Sequence, residues 1–145
     1  MRSDGFLVVV LSQDCDLTWD FNNDGNDDKK LLSILVAPLY NVEHVYLGEH
    51  LSDLDLKMRN ITSKKDSTEN KNLKQNQTPR YHYIEFPEEV EIVNSVIDFK
   101  HYFTINRNYF YEIKDQNFVC RLAELYREDL SFRFANYLSR IGLPD

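Results

Sequence analysis

A surplus of positive charge is missing from this chain. Its 145 residues hold 17 lysines and arginines against 24 aspartates and glutamates, a formal net charge of −7. Proteins that track a phosphate backbone normally carry the opposite balance, because each neutralised phosphate releases counterions. The acidic balance therefore favours a protein or small-ligand partner and leaves RNA to local basic patches, of which the lysines between Lys57 and Lys74 form one. A long apolar run near the start is missing too. The segment Met-Arg-Ser-Asp-Gly is followed by the short run Phe6 to Leu11, too brief for the core of a signal peptide and far short of a membrane span. Cysteine is scarce: Cys15 and Cys120 are far apart, form no CxxC pair and have no histidine at zinc-finger spacing, which suits reduced thiols in a cytosol. These absences point to a soluble cytoplasmic protein that needs no membrane. The length is that of one domain able to bury about two thirds of its unfolded surface.

What is present begins with strands. Phe6 to Leu11 and Leu31 to Ala37 are apolar on both faces, and both end in polar groups: Ser12, Gln13, Asp14, Cys15 and Asp16 after the first, Pro38, Leu39, Tyr40 and Asn41 after the second. Polar groups crowded at strand ends are where sites form. Residues 57–78 are mostly Lys, Asn, Ser, Thr, Asp and Gln, with Met58, Ile61 and Leu73 as the only large apolar side chains. Such a segment buries too little to offset its ordering entropy, and reads as a flexible polar loop within a single domain spanning residues 1–145.

Beyond the loop, Tyr81 to Phe86 alternates as a strand up to Pro87, Val90 to Val93 reads as a short extended piece, and Ser95 to Ile105 as a longer strand. Phe110 to Ile113 and Phe118 to Leu122 read as a hairpin around Lys114-Asp115-Gln116-Asn117. From Arg127 the period becomes helical, with Leu130, Phe134, Leu138 and Ile141 on one face and Gly142 and Pro144 as stop signals. The sequence thus predicts a mainly β domain closed by a C-terminal helix packed through those four side chains.

Three groups of residues carry chemistry. Tyr40, His44, His82, His101 and Arg107 include the histidines and the arginine that proton transfer and phosphate binding require, although His82 and His101 also fit a strand surface and Arg107 an ion pair with Asp98 or with a carboxylate of the C-terminal helix. Cys15 stands between Asp14 and Asp16, which favour its neutral thiol and so a packing role over a nucleophilic one. Asp20, Asn22 and Asp24 fit the first, third and fifth ligand positions of a calcium loop, with Gly25 sixth and Asp28 ninth; the twelfth is Leu31 instead of a glutamate. That is an acidic turn able to hold calcium or another divalent ion only weakly. The aromatic side chains between Tyr81 and Tyr111 have no interleaved lysines, and read as packing rather than as a base-stacking platform.

The order of these pieces resembles the PemK and MazF family of toxin endoribonucleases. The resemblance runs through Val8-Val9-Val10-Leu11-Ser12, Ile34-Leu35-Val36-Ala37-Pro38-Leu39, Ser95-Val96-Ile97-Asp98, Ile105-Asn106-Arg107, Arg121-Leu122 and Ile141-Gly142-Leu143. It implies a small, strongly bent antiparallel barrel with a C-terminal helix, cytoplasmic, acting on single-stranded RNA or held by an antitoxin, and it leaves a homodimer open. The motif Ser-Gln-x-Cys-Asp is similar to one in uncharacterised bacterial proteins related to that family. Two departures stand out. Tyr40 occupies the place of the family's threonine or serine, and Asp4-Gly5-Phe6 the place of its Arg-Pro. The resemblance therefore implies a binding or regulatory module of a toxin–antitoxin or phage-defence system that has lost the catalytic pair. An endoribonuclease using Tyr40, Arg107 and His101 is the alternative, and a protein using its acidic loops to bind a divalent metal is another. Either way, the functional surface is expected where the two strand ends, 12–16 and 38–41, lie side by side.

Overall fold

Phe-Leu-Val-Val-Val has a side chain on every residue that prefers the pleated surface, and it forms β2, Phe6–Val10. The computed structural model describes residues 2–3, 6–12, 17, 30–61, 68–122 and 124–140. Within them the protein is mainly antiparallel sheet with a C-terminal helix. The chain forms two compact units, Met1–Pro38 with His101–Ser131, and Leu39–Lys100 with Phe132–Asp145.

In the first unit β2 pairs with the short β1, Arg2–Ser3, and with the first part of β3, Ser33–Asn41. The other edge of that part of β3 takes β6, Phe103–Asn106, with Ile34 opposite Ile105. Val8, Ile34, Val36, Ile105 and Phe110 form the core here, with Val10, Leu17, Leu31 and Tyr111 against it. The sheet ladder continues past β2: the Leu11 amide donates to the Leu35 carbonyl at 2.8 Å, and the Leu35 amide donates to Ser12 Oγ at 2.9 Å.

In the second unit the last residues of β3 pair with β5, Ser95–Asp98, which pairs in turn with β4, Tyr81–Ile84. Helix α1, Val42–Leu47, follows β3 directly. It starts because the Asn41 side chain accepts from the Glu43 amide, and it stops at Gly48, whose φ of 72° suits glycine. A side chain at Gly48 would also strike the carbonyl of Met58. Val42, Val45, Tyr46, Leu73, Tyr83 and Val96 form this unit's core.

Several sequence expectations change. The barrel is not closed: among the described residues β1 and β4 end the strand path and β6 pairs only with β3. Among the described residues the strands that closure would need are not there. Phe99–His101 is a 3-10 turn that interrupts the expected strand 95–105, residues 90–93 form no strand, and of the expected hairpin the first strand and turn are helix α3, Arg107–Asn117, while residues 118–122 form no strand. Its run of aromatics reads as strand by propensity. However, Asn106 accepts from the Asn108 and Tyr109 amides, which starts a helix, and burial falls on Phe110 while Tyr109 is exposed. The polar segment 57–78 holds a short helix, α2, Thr68–Lys74, which inserts Leu73 and Asn70 into the interior.

The C-terminal helix is α4, Glu124–Leu138. Leu130 and Phe134 are buried as expected, but Leu138 is 49% exposed. After Phe134 the inward stripe steps by three residues, to the half-buried Tyr137, whose ring lies 5.9 Å from that of Phe99. Ile141 lies outside the described residues.

Of the two polar strand ends, residues 13–16 lie outside the described residues. β2 and β3 are antiparallel, with Val8 opposite Pro38 and Val10 opposite Val36, so Ser12 falls beside Leu35. Consecutive antiparallel strands send their C-terminal ends in opposite directions.

Candidate functional site

The second unit gathers four polar side chains around the end of β5. Pairing of β3 with β5 sets Tyr40 opposite Val96, two residues before Asp98. Pairing of β4 with β5 sets Tyr81 opposite Asp98, which brings the preceding Arg80 onto that carboxylate. The contact is bidentate, Arg80 Nε to Asp98 Oδ1 at 2.9 Å and Nη2 to Oδ2 at 2.7 Å. Asp98 is fully buried, and Oδ1 also accepts from the Lys100 amide at 3.0 Å. His50, in the turn after α1, lays its ring 4.6 Å from that of Tyr40 and offers a nitrogen within 4.8 Å of an Asp98 oxygen.

The electrostatics follow from this packing. Burial pushes the Tyr40 phenol up to about 12; the Asp98 charge adds to the rise and the Arg80 charge opposes it. Tyr40 is therefore a neutral hydrogen-bond donor at physiological pH, neither a phenolate nor a base. Asp98 has both oxygens engaged, so it orients its neighbours. In this state the phenol can donate to an acceptor.

The same shift predicts a pH effect. A folded-state pKa above the unfolded value of 10.0 means that the neutral phenol's contribution to stability is complete below about pH 10 and is lost as pH rises through about 12. Tyr46 and Tyr83 shift the same way, both chiefly by burial. Urea unfolding should thus show the midpoint falling above pH 10, and Tyr40→Phe should reduce the fall. An equal fall in both proteins would contradict the assignment to Tyr40.

The other expected site residues have local parts of their own. Asn41 caps α1. Ser12, His101 and Arg107 belong to the first unit. Ser12 serves the β2–β3 ladder, and His101 closes the 3-10 turn. Arg107 opens α3, donates to Asn108 Oδ1 at 3.1 Å and lies over the ring of Tyr111, so the partner of Asp98 is Arg80 instead. His44 is exposed on α1; His82 is buried, and its Nδ1 accepts from an Arg133 nitrogen at 2.9 Å. Gln13, Asp14, Cys15 and Asp16, and the acidic turn with Asp20, Asn22, Asp24 and Asp28, lie outside the described residues.

Sequence reading did not single out Arg80 or His50. The usable signal for Arg80 was its place just before a strand able to pair with 95–98; His50 gave none. Among the described residues no helix is long and apolar enough to cross a membrane. No family model, curated protein or solved structure matches the chain.

Proposed function

We propose that this protein is a remodelled relative of the PemK and MazF toxins that binds a protein partner within a toxin–antitoxin or phage-defence system, and has lost RNA cleavage. The observation that carries the reading is Tyr40. It occupies the place of the family's threonine or serine, and its phenol is held neutral beside a carboxylate already taken by Arg80. RNA cleavage needs a group to remove the 2′-hydroxyl proton and a second to protonate the leaving oxygen. Tyr40 supplies only a donor. The acidic charge of −7 supports a protein partner over a phosphate chain.

The test is incubation of the purified protein with single-stranded RNA, with and without magnesium or calcium. Intact RNA is the expected result under every condition. Cleavage that Tyr40→Phe and Arg107→Ala both abolish would overturn the reading in favour of an endoribonuclease.

A second reading, a divalent cation site, rests on His50 and Asp98, an imidazole and a carboxylate whose ligand atoms approach within 4.8 Å. The guanidinium of Arg80 on the same carboxylate opposes it. Zinc or calcium at submillimolar concentration should raise the melting temperature of the natural chain but not of His50→Ala. Equal shifts in both would place the ion elsewhere.

A further inference from the structure

One cleft of the second unit has the opposite sign to the chain as a whole. It has a volume of about 340 Å3 and lies between the segment after α2 and the last turns of the C-terminal helix, where Asn76, Gln77, Arg133, Asn136, Tyr137 and Arg140 line it. The four helix-side residues follow i, i+3, i+4, i+7 spacing, so they form one stripe. On a helix turned toward a core that stripe would be apolar. Here it carries two arginines, and no carboxylate lines the cleft among the described residues, in a chain of net charge −7.

The cationic wall is built and held. Arg133 donates to the Thr78 carbonyl at 3.0 Å and the Tyr81 carbonyl at 2.9 Å, and meets His82 Nδ1 at 2.9 Å. Those three contacts fix the guanidinium in place. Asn76 is fixed too, its side chain bonded to the Tyr83 backbone amide at 2.7 Å. Arg140 sits over the Tyr137 ring, its guanidinium carbon 5.6 Å from the centroid, and Tyr137 rests in turn against Phe99. A positioned guanidinium matches the geometry of a phosphate. The volume falls in the range of small-ligand sites and exceeds what a bare phosphate fills. The exposed amides of Gln77 and Asn136 add donor and acceptor pairs of the kind a nucleobase edge requires.

We propose that this cleft binds a phosphate-bearing ligand the size of a mononucleotide, with Arg140 and Arg133 on the phosphate and Gln77 and Asn136 on the base or sugar. Titration calorimetry of the full chain with AMP, adenosine and inorganic phosphate tests it. AMP is expected to bind in the submillimolar range, with adenosine and phosphate each at least tenfold weaker. Arg140→Gln should weaken AMP at least tenfold with an unchanged melting temperature, because Arg140 lies beyond the last turn of the helix. Arg140→Lys should fall between the two, keeping charge but losing the bidentate fork. Gln77→Ala should weaken AMP while leaving phosphate unchanged. Absence of AMP binding at millimolar concentration would overturn the proposal. So would equal affinity for AMP and adenosine, affinity for phosphate equal to that for AMP, or an Arg140→Gln chain that binds AMP normally.

Discussion

Replacing Arg80 with methionine should lower the free energy of unfolding by about 3 kcal/mol, the lower end of what breaking a buried ion pair costs. The size follows from what is left behind. Asp98 is 0% exposed and loses the two hydrogen bonds that Arg80 donates from Nε and Nη2. Arg80 is itself partly exposed, which sets the lower rather than the upper figure. The attraction between the pair mostly offsets the cost of taking both charges out of water, so the loss measures a stranded carboxylate more than a strong bond. Two consequences separate this from loss of ordinary packing. Arg80→Met combined with Asp98→Leu should be less destabilising than Arg80→Met alone, because the stranded charge is gone. Arg80→Lys should recover only part of the loss, since an ammonium cannot make the two parallel contacts. Urea unfolding of the variants measures all three, and a midpoint for Arg80→Met equal to that of the natural chain would show that the pair contributes nothing.

Phe99→Ala should cost about 3 to 5 kcal/mol, the range for deleting a buried aromatic ring. Phe99 is fully buried just after β5, with ring centroids of His82, Phe134 and Tyr137 at 6.1, 5.4 and 5.9 Å. It therefore joins the sheet of the second unit to the end of the C-terminal helix. Removal opens a cavity that backbone held on two sides cannot readily collapse, since β5 is paired by both β3 and β4. Phe99→Leu, which keeps most of the volume, should cost about 1 to 2 kcal/mol. Thermal unfolding followed by near-ultraviolet circular dichroism would report both the stability and the aromatic packing; a Phe99→Ala chain as stable as the Leu variant would show that the site relaxes.

The parts of this fold that the sequence reveals are those set by local pattern. Phe6 to Leu11 and Leu31 to Ala37 read as strands because nothing else suits so continuous an apolar run, and Leu130 and Phe134 announce their helix by spacing alone. Helix α3 was hidden because Tyr109, Phe110 and Tyr111 favour strand, and a single capping side chain, Asn106, reverses that preference. Helix α1 offered the same signals, Asn41 before it and Gly48 after it, in a segment too short for periodicity to speak. The site was less legible. Tyr40 could be singled out from its strand end, but Arg80 and Asp98 are 18 residues apart and meet only through the register of β4 on β5. Register is a property of pairs of strands, and a lone sequence does not state it.

Asn41 and Asn106 share a position that has a consequence for how errors in assembly are avoided. Each is at once the last residue of a strand and the cap of the helix that follows, with no loop between. A sheet slipped by one residue turns every side chain to the wrong face, and a free strand end tolerates such a slip at little local cost. Here a slip of β6 along β3 would carry Asn106 away from its place opposite Ser33 and drag the start of α3, with Phe110, along with it. The two asparagines thus act as alignment marks: the helix forms in its proper place only if the preceding strand has stopped at the right rung.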